Sequence, residues 1–187
     1  MHGRLKFAIA VAVVVGATVA VSAALATNGG KGGGGRFSAQ LSGFQEDPLT
    51  LSTTGTGQFR AQLRAKEGEI SYTLSYANLE APVTQAHIHF GQRAQSGGIS
   101  VFLCSNLGNG PMGTQACPPA PATISGTIRP SDVIGPANQG IDPGELNELI
   151  AAIRGGVTYA NVHSTLYPGG EIRAQLVRGN KFGGKDD

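Results

Sequence analysis

Along the centre of the chain, hydrophobic and polar residues alternate with a period of two. Phe37, Ala39 and Leu41 alternate with Ser38, Gln40 and Ser42, and Phe59, Ala61, Leu63 and Ala65 with Gln58, Arg60, Gln62 and Arg64. Ile70, Tyr72, Leu74 and Tyr76 alternate with Ser71, Thr73, Ser75 and Ala77. Successive side chains of a strand point to opposite faces, so each run predicts a strand with one buried and one wet face. Lys66-Glu67-Gly68 joins the second run to the third and suits a hairpin. Further strands are predicted over Gln85–Phe90, Ile99–Leu103, Ala122–Ile128, Val157–His163 and Glu171–Val177. Many short strands separated by turn residues predict an all-β domain, mainly antiparallel, built as a sandwich or barrel.

One segment departs from that period. Leu146, Leu149, Ile150 and Ile153 fall at i, i+3, i+4 and i+7, which is one face of a helix. Asp142 is placed to cap it, Pro143 suits a first turn, and Glu145 has capping-box spacing from Asp142. Arg154 followed by Gly155-Gly156 supplies a cation and a stop. The pattern predicts one short helix near 143–154, plugging an end or edge of the sheet.

The termini read differently. A basic start (His2, Arg4, Lys6), an uncharged apolar run from Phe7 to Val21 and the small-residue site Ala24-Leu25-Ala26 follow the plan of a secretory signal peptide over 1–26. An uncleaved anchor is the competing reading; the alanines and the cleavage site favour removal, leaving no stable membrane span. Residues 27–35 are a glycine-rich linker, 36–178 the folded domain, and 179–187 a tail of the linker's composition.

Export changes the meaning of the charge. The chain carries 14 Lys+Arg against 12 Asp+Glu, and loss of Arg4 and Lys6 leaves the two signs equal. No basic stripe points to nucleic acid. In an oxidising compartment the pair Cys104 and Cys117 most simply forms a disulfide that pins the two feet of a Gly- and Pro-containing loop. Thiolate metal ligation or a redox couple is the alternative, and the wide spacing speaks against it.

The candidate chemistry lies in Gln85-Ala86-His87-Ile88-His89-Phe90-Gly91. On a strand His87 and His89 share a face, and Ala86, Ile88 and Phe90 share the other. His163, in Tyr-Ala-Asn-Val-His-Ser, is the one further histidine outside the signal segment that can join them.

These stretches also carry a family resemblance. Ala86-His87-Ile88-His89-Phe90-Gly91, with Gly97-Gly98-Ile99-Ser100-Val101 after it, resembles the first signature of the CHRD domain, the module first described in chordin. Tyr159-Ala160-Asn161-Val162-His163-Ser164 and Pro168-Gly169-Gly170-Glu171-Ile172-Arg173 resemble the second. Ser164 stands where threonine is usual, and Ala174 where glycine is common. The resemblance covers nearly all of Phe37–Val177, includes the helix before the second block, and makes the cysteine loop look like an insertion. It implies a superoxide-dismutase-like or immunoglobulin-like sandwich or barrel. It also implies an exported, non-enzymatic binding or structural module, extracellular or periplasmic, with an extracellular or envelope partner. The growth-factor binding of chordin is not carried over to a single bare domain.

His-x-His on a strand, a distant third histidine and a β-rich fold are also similar to the copper site of copper–zinc superoxide dismutases. Three histidines are too few for that bridged two-metal site, so dismutase activity is not expected. A site for copper or zinc at His87, His89 and His163, with an open position, is compatible with the donors. The competing reading is structural, with the rings hydrogen-bonded across strands to partners such as Asn161 or Glu171. Other motifs carry less: Pro168-Gly169-Gly170 reads as a tight turn and Glu171 with Arg173 as a cross-strand charge pair. Gly29–Gly35 lacks the strand and helix of a nucleotide loop, and Ser164 diverges from the adjacent His163.

Overall fold

Backbone pairing joins the alternating runs into a single sheet. The computed structural model describes residues 34–64 and 68–179; the expected signal peptide at 1–26, residues 27–33 of the linker, residues 65–67 and the tail beyond 179 lie outside them. The strands are β1 (Arg36–Ser42), β2 (Thr56–Arg64), β3 (Glu69–Ala77), β4 (Val83–Phe90), β5 (Gly98–Ser105), β6 (Ala122–Ile128), β7 (Thr158–Ser164), β8 (Ile172–Gln175) and β9 (Val177–Arg178). They lie in the order β5-β4-β7-β8-β1-β2-β3-β6, with β9 added to β1, and every pairing is antiparallel. β2 and β3 pair from Arg64↔Glu69 to Thr56↔Ala77, the hairpin that the pattern predicts. Phe59, Leu63, Ile70, Leu74, Ile88 and Ile128 from four of the strands are fully buried together in one core.

The sheet curls into a nearly closed barrel, and a long loop covers the seam. The Gln115 amide nitrogen lies 3.1 Å from the carbonyl of Leu103 on β5 and 3.4 Å from that of Ser125 on β6. It also lies 2.9 Å from the Tyr72 hydroxyl, which itself donates to Leu103 O at 3.1 Å. Free strand edges invite pairing with other chains, and this loop blunts both at once. Cys104 and Cys117 form a disulfide at its base, with 5.1 Å between their Cα atoms. Asn106 adds a clamp, donating to the carbonyls of Val83 and Cys117 and accepting from the Cys117 amide.

Two expectations shift in detail. The helix α1 runs over Leu146–Arg154, three residues later than 143, and Asp142 does not cap it. Gly144 is left-handed (φ 90°), which turns the chain before the helix can start. Half of the capping-box arrangement survives, since Glu145 Oε2 accepts from the Asp142 amide at 2.8 Å. The predicted apolar stripe holds, with Leu146, Leu149, Ile150 and Ile153 all in the core. The strand expected over 171–177 divides at Leu176, whose amide bonds to Thr158 O; β8 before it lies between β7 and β1, and β9 after it pairs with β1.

The loop bridge should be measurable in stability. Reducing Cys104–Cys117 is expected to lower the unfolding free energy by about 3 kcal/mol through the closed-loop entropy of the unfolded chain. Urea melts with and without reductant check it, and identical midpoints would contradict it.

Candidate metal centre

Pairing of β4 with β7 builds the site. Gln85 lies opposite His163, His87 opposite Asn161 and His89 opposite Tyr159; β7 in turn sets Asn161 against Arg173 and Tyr159 against Gln175. Because side chains alternate, one face of β4-β7-β8 carries Ala86, Ile88, Ala160, Val162, Ile172 and Ala174 into the core. The opposite face carries the histidines, Tyr159, Asn161, Arg173 and Gln175. It too is closed off: His87 is 0% exposed, His89 8% and His163 6%.

Loops bury that polar face, and its own side chains hold them down. Arg173 Nη2 donates to the carbonyls of Gln92 (3.1 Å) and Gln95 (2.8 Å), and Gln175 donates to Gly91 O at 2.9 Å. The segment thus pinned ends at Gly97, whose carbonyl meets His89 Nδ1 at 2.9 Å and whose amide donates to the Tyr159 hydroxyl. A Cβ at 97 would collide with the carbonyl oxygen of Phe90, so the chain can pass there only as glycine. On the other side the turn after β7 brings Pro168 O to 3.0 Å from His163 Nδ1.

The three rings meet. Centroids are 5.3 Å apart for His87 and His89, 4.9 Å for His87 and His163, and 6.2 Å for His89 and His163. One ring nitrogen from each lies within 4.8 Å of the other two, a group able to hold a metal ion. Phe102 packs edge-on against His87 at 4.4 Å, and Tyr159 stacks flat on His89 at 4.7 Å. The Arg173 guanidinium sits 3.5 Å over the Tyr159 ring.

Hydrogen bonding fixes the tautomers. A carbonyl can only accept, so Nδ1 of His89 and of His163 carries the proton and Nε2 carries a lone pair. His87 Nδ1 lies 3.1 Å from His163 Nε2 and must therefore donate to it, which leaves His87 Nε2 bare as well. Nε2 of His87 and Nε2 of His89 are buried with no hydrogen-bond partner. An unsatisfied buried polar atom costs about 1–3 kcal/mol.

Electrostatics keep the rings neutral. Burial drives His87 down to about 2, with the neighbouring histidines adding to it. His89 falls to about 4, again through burial; the Gly97 bond opposes this, while His163 and Arg173 reinforce it. Burial lowers His163 too, against the bond to Pro168. Neutral imidazole is the form that binds metal.

The partners expected from the sequence are not the ones used. Asn161 bonds Glu46 at 3.3 Å, and Glu171 accepts from Thr53 and from the Glu80 amide. Backbone carbonyls orient the rings instead. Glu171 and Arg173 form no charge pair, since Arg173 is spent on loop carbonyls and Tyr159. Ser164, beside His163, accepts from the Tyr167 amide. Sequence patterning does not place Tyr159, Arg173, Phe102 and Glu46 beside the site, although Tyr159 stands in phase with Asn161 and His163 on one strand.

The sequence profile of the CHRD domain matches residues 37–176, from β1 to Leu176. The chain belongs to the CHRD family. No curated protein matches it, and no solved structure does. The match spans both strands that bear the histidines of this CHRD domain, and both loops that cover them.

This CHRD domain should lose stability on acidification. The three histidines sit below their ordinary value of 6.5, so the unfolded chain binds more protons and stability falls as pH drops through 6.5. Glu46 opposes them: burial raises it from 4.5 to about 7, so its contribution is complete below 4.5 and is lost as pH rises through 7. Three groups outweigh one. Melting temperature should drop between pH 6.5 and 4.5, and Glu46→Gln should stabilise more above pH 7 than below 4.5. A flat or rising midpoint on acidification would contradict the buried neutral cluster.

Proposed function

We propose that this CHRD protein is an exported, non-enzymatic binding or structural module that holds one copper or zinc ion at His87, His89 and His163. One observation carries the reading: two lone pairs, on Nε2 of His87 and Nε2 of His89, are buried unsatisfied in a cluster whose other nitrogens are already oriented. A purely structural cluster has no use for bare acceptors, whereas an ion needs them. Ligand histidines ordinarily donate their second ring N–H to a carbonyl or carboxylate, as His89 does to Gly97 and His163 to Pro168. His163 Nε2 would exchange the hydrogen bond from His87 Nδ1 for the ion.

Export is supported by the Cys104–Cys117 bridge, which belongs to oxidising compartments, and by the signal-like start of the chain. Among the described residues no helix is long and apolar enough to cross a membrane. The exported product would comprise the linker 27–35, the domain 36–178 and the tail 179–187, acting outside the cell or in the periplasm on an extracellular or envelope partner.

Titration of the purified protein with copper or zinc should saturate at one ion per chain. Free ion at a hundredfold excess over Kd should add about 2.7 kcal/mol of stability. The His87→Ala/His89→Ala variant should lose both effects. A folded wild type that binds neither ion, or a variant that gains as much, would refute the site.

A further inference from the structure

We infer that the ion suited to this centre is monovalent copper, not a divalent ion; the inference rests on the three-histidine reading above. The donor set is the first ground. His87, His89 and His163 supply three neutral nitrogens, with no carboxylate or thiolate in the group. The nearby carboxylates lie outside that group: Glu46 Oε2 accepts from Asn161 and Glu171 Oε1 from Thr53 and the Glu80 amide, while Glu46 Oε1 and Glu171 Oε2 are buried without a partner. A cation, Arg173, is stacked on the tyrosine that itself stacks on His89.

Burial is the second ground. Desolvation cost grows with the square of the charge, so a dication entering a site 0–8% exposed costs four times what a monocation does. No anionic ligand offsets it. Arg173 adds repulsion that is twice as large for the dication.

Coordination number is the third. Zinc takes four ligands, using water where the protein supplies three, and divalent copper favours tetragonal sets of N and O donors. Here Phe102 and Tyr159 pack against two of the rings, and all three rings are buried away from water that could complete a larger ligand set. Three nitrogens suffice for a closed-shell monovalent ion. Imidazole suits copper and zinc alike, so charge and coordination number decide between them.

The test is an anaerobic competition using the purified protein without an affinity tag. Cu(I) is titrated against a chromophoric Cu(I) chelator, and Zn(II) against a zinc indicator. One Cu(I) per chain, held at least about a hundredfold more tightly than Zn(II), is expected, with no Cu(II) resonance in the electron paramagnetic spectrum after exposure to air. Zinc binding as tight as Cu(I), or a retained Cu(II) signal, would overturn the inference and leave the three-histidine site standing. Binding of neither ion would remove the site itself. Phe102→Asp supplies the missing anion beside His87 from a half-buried position. It should narrow the preference for Cu(I) over Zn(II) by about tenfold or more, and an unchanged ratio in the folded variant would defeat the charge argument.

Discussion

Antiparallel pairing of β4 with β7 is the constraint from which the rest of this CHRD domain follows. The register that sets Ala86 against Val162 and Ile88 against Ala160 packs small and branched side chains into the barrel core. The same register obliges His87, His89, Tyr159, Asn161 and His163 to share the other face. A slip of one residue would exchange the two faces, placing imidazoles in the core and aliphatics under the loops. The apolar core therefore specifies the polar cluster, and the histidines need no separate device to bring them together.

Holding the cluster dry requires more. Buried polar groups must be matched with partners, and here β7 and β8 reach up to fasten the loop that encloses them. Arg173 grips two carbonyls, Gln175 a third, and Tyr159 meets the Gly97 amide. The loop then returns an acceptor to His89. Fastening and orientation are thus one network, in which Gly97 is fixed by steric need and Arg173 by its two carbonyl bonds. The orphaned Nε2 atoms are two of seven buried side-chain atoms without a partner among the described residues, with Asn161 Oδ1 on the same face, and each such group in a folded protein calls for an explanation.

The legibility of the chain follows the range of each interaction. Strands β1 to β3 could be read from alternation because each has one wet face, and the shared side of His87 and His89 follows from period two alone. β7 is buried along its whole length, so composition alone does not tell its core face from its site face. His163 was identified by being the remaining histidine, and its contact with His87 depends on pairing between residues 76 positions apart. Residue type offers Asn161 or Glu171 as ring partners, whereas the backbone carbonyls of Gly97 and Pro168 that orient the rings leave no trace in residue type. The late start of α1 has a local cause, since Pro143-Gly144 reads equally as a first turn or as a break. Gly144 takes the second course.

The central claim is that His87, His89 and His163 together hold one ion. Anomalous diffraction from crystals of the protein loaded with Cu(I), collected on both sides of the copper edge, tests it most directly. The account predicts a single copper peak per chain about 2 Å from one ring nitrogen of each histidine. A peak elsewhere, or none, with His87 Nδ1 still hydrogen-bonded to His163 Nε2, would contradict it.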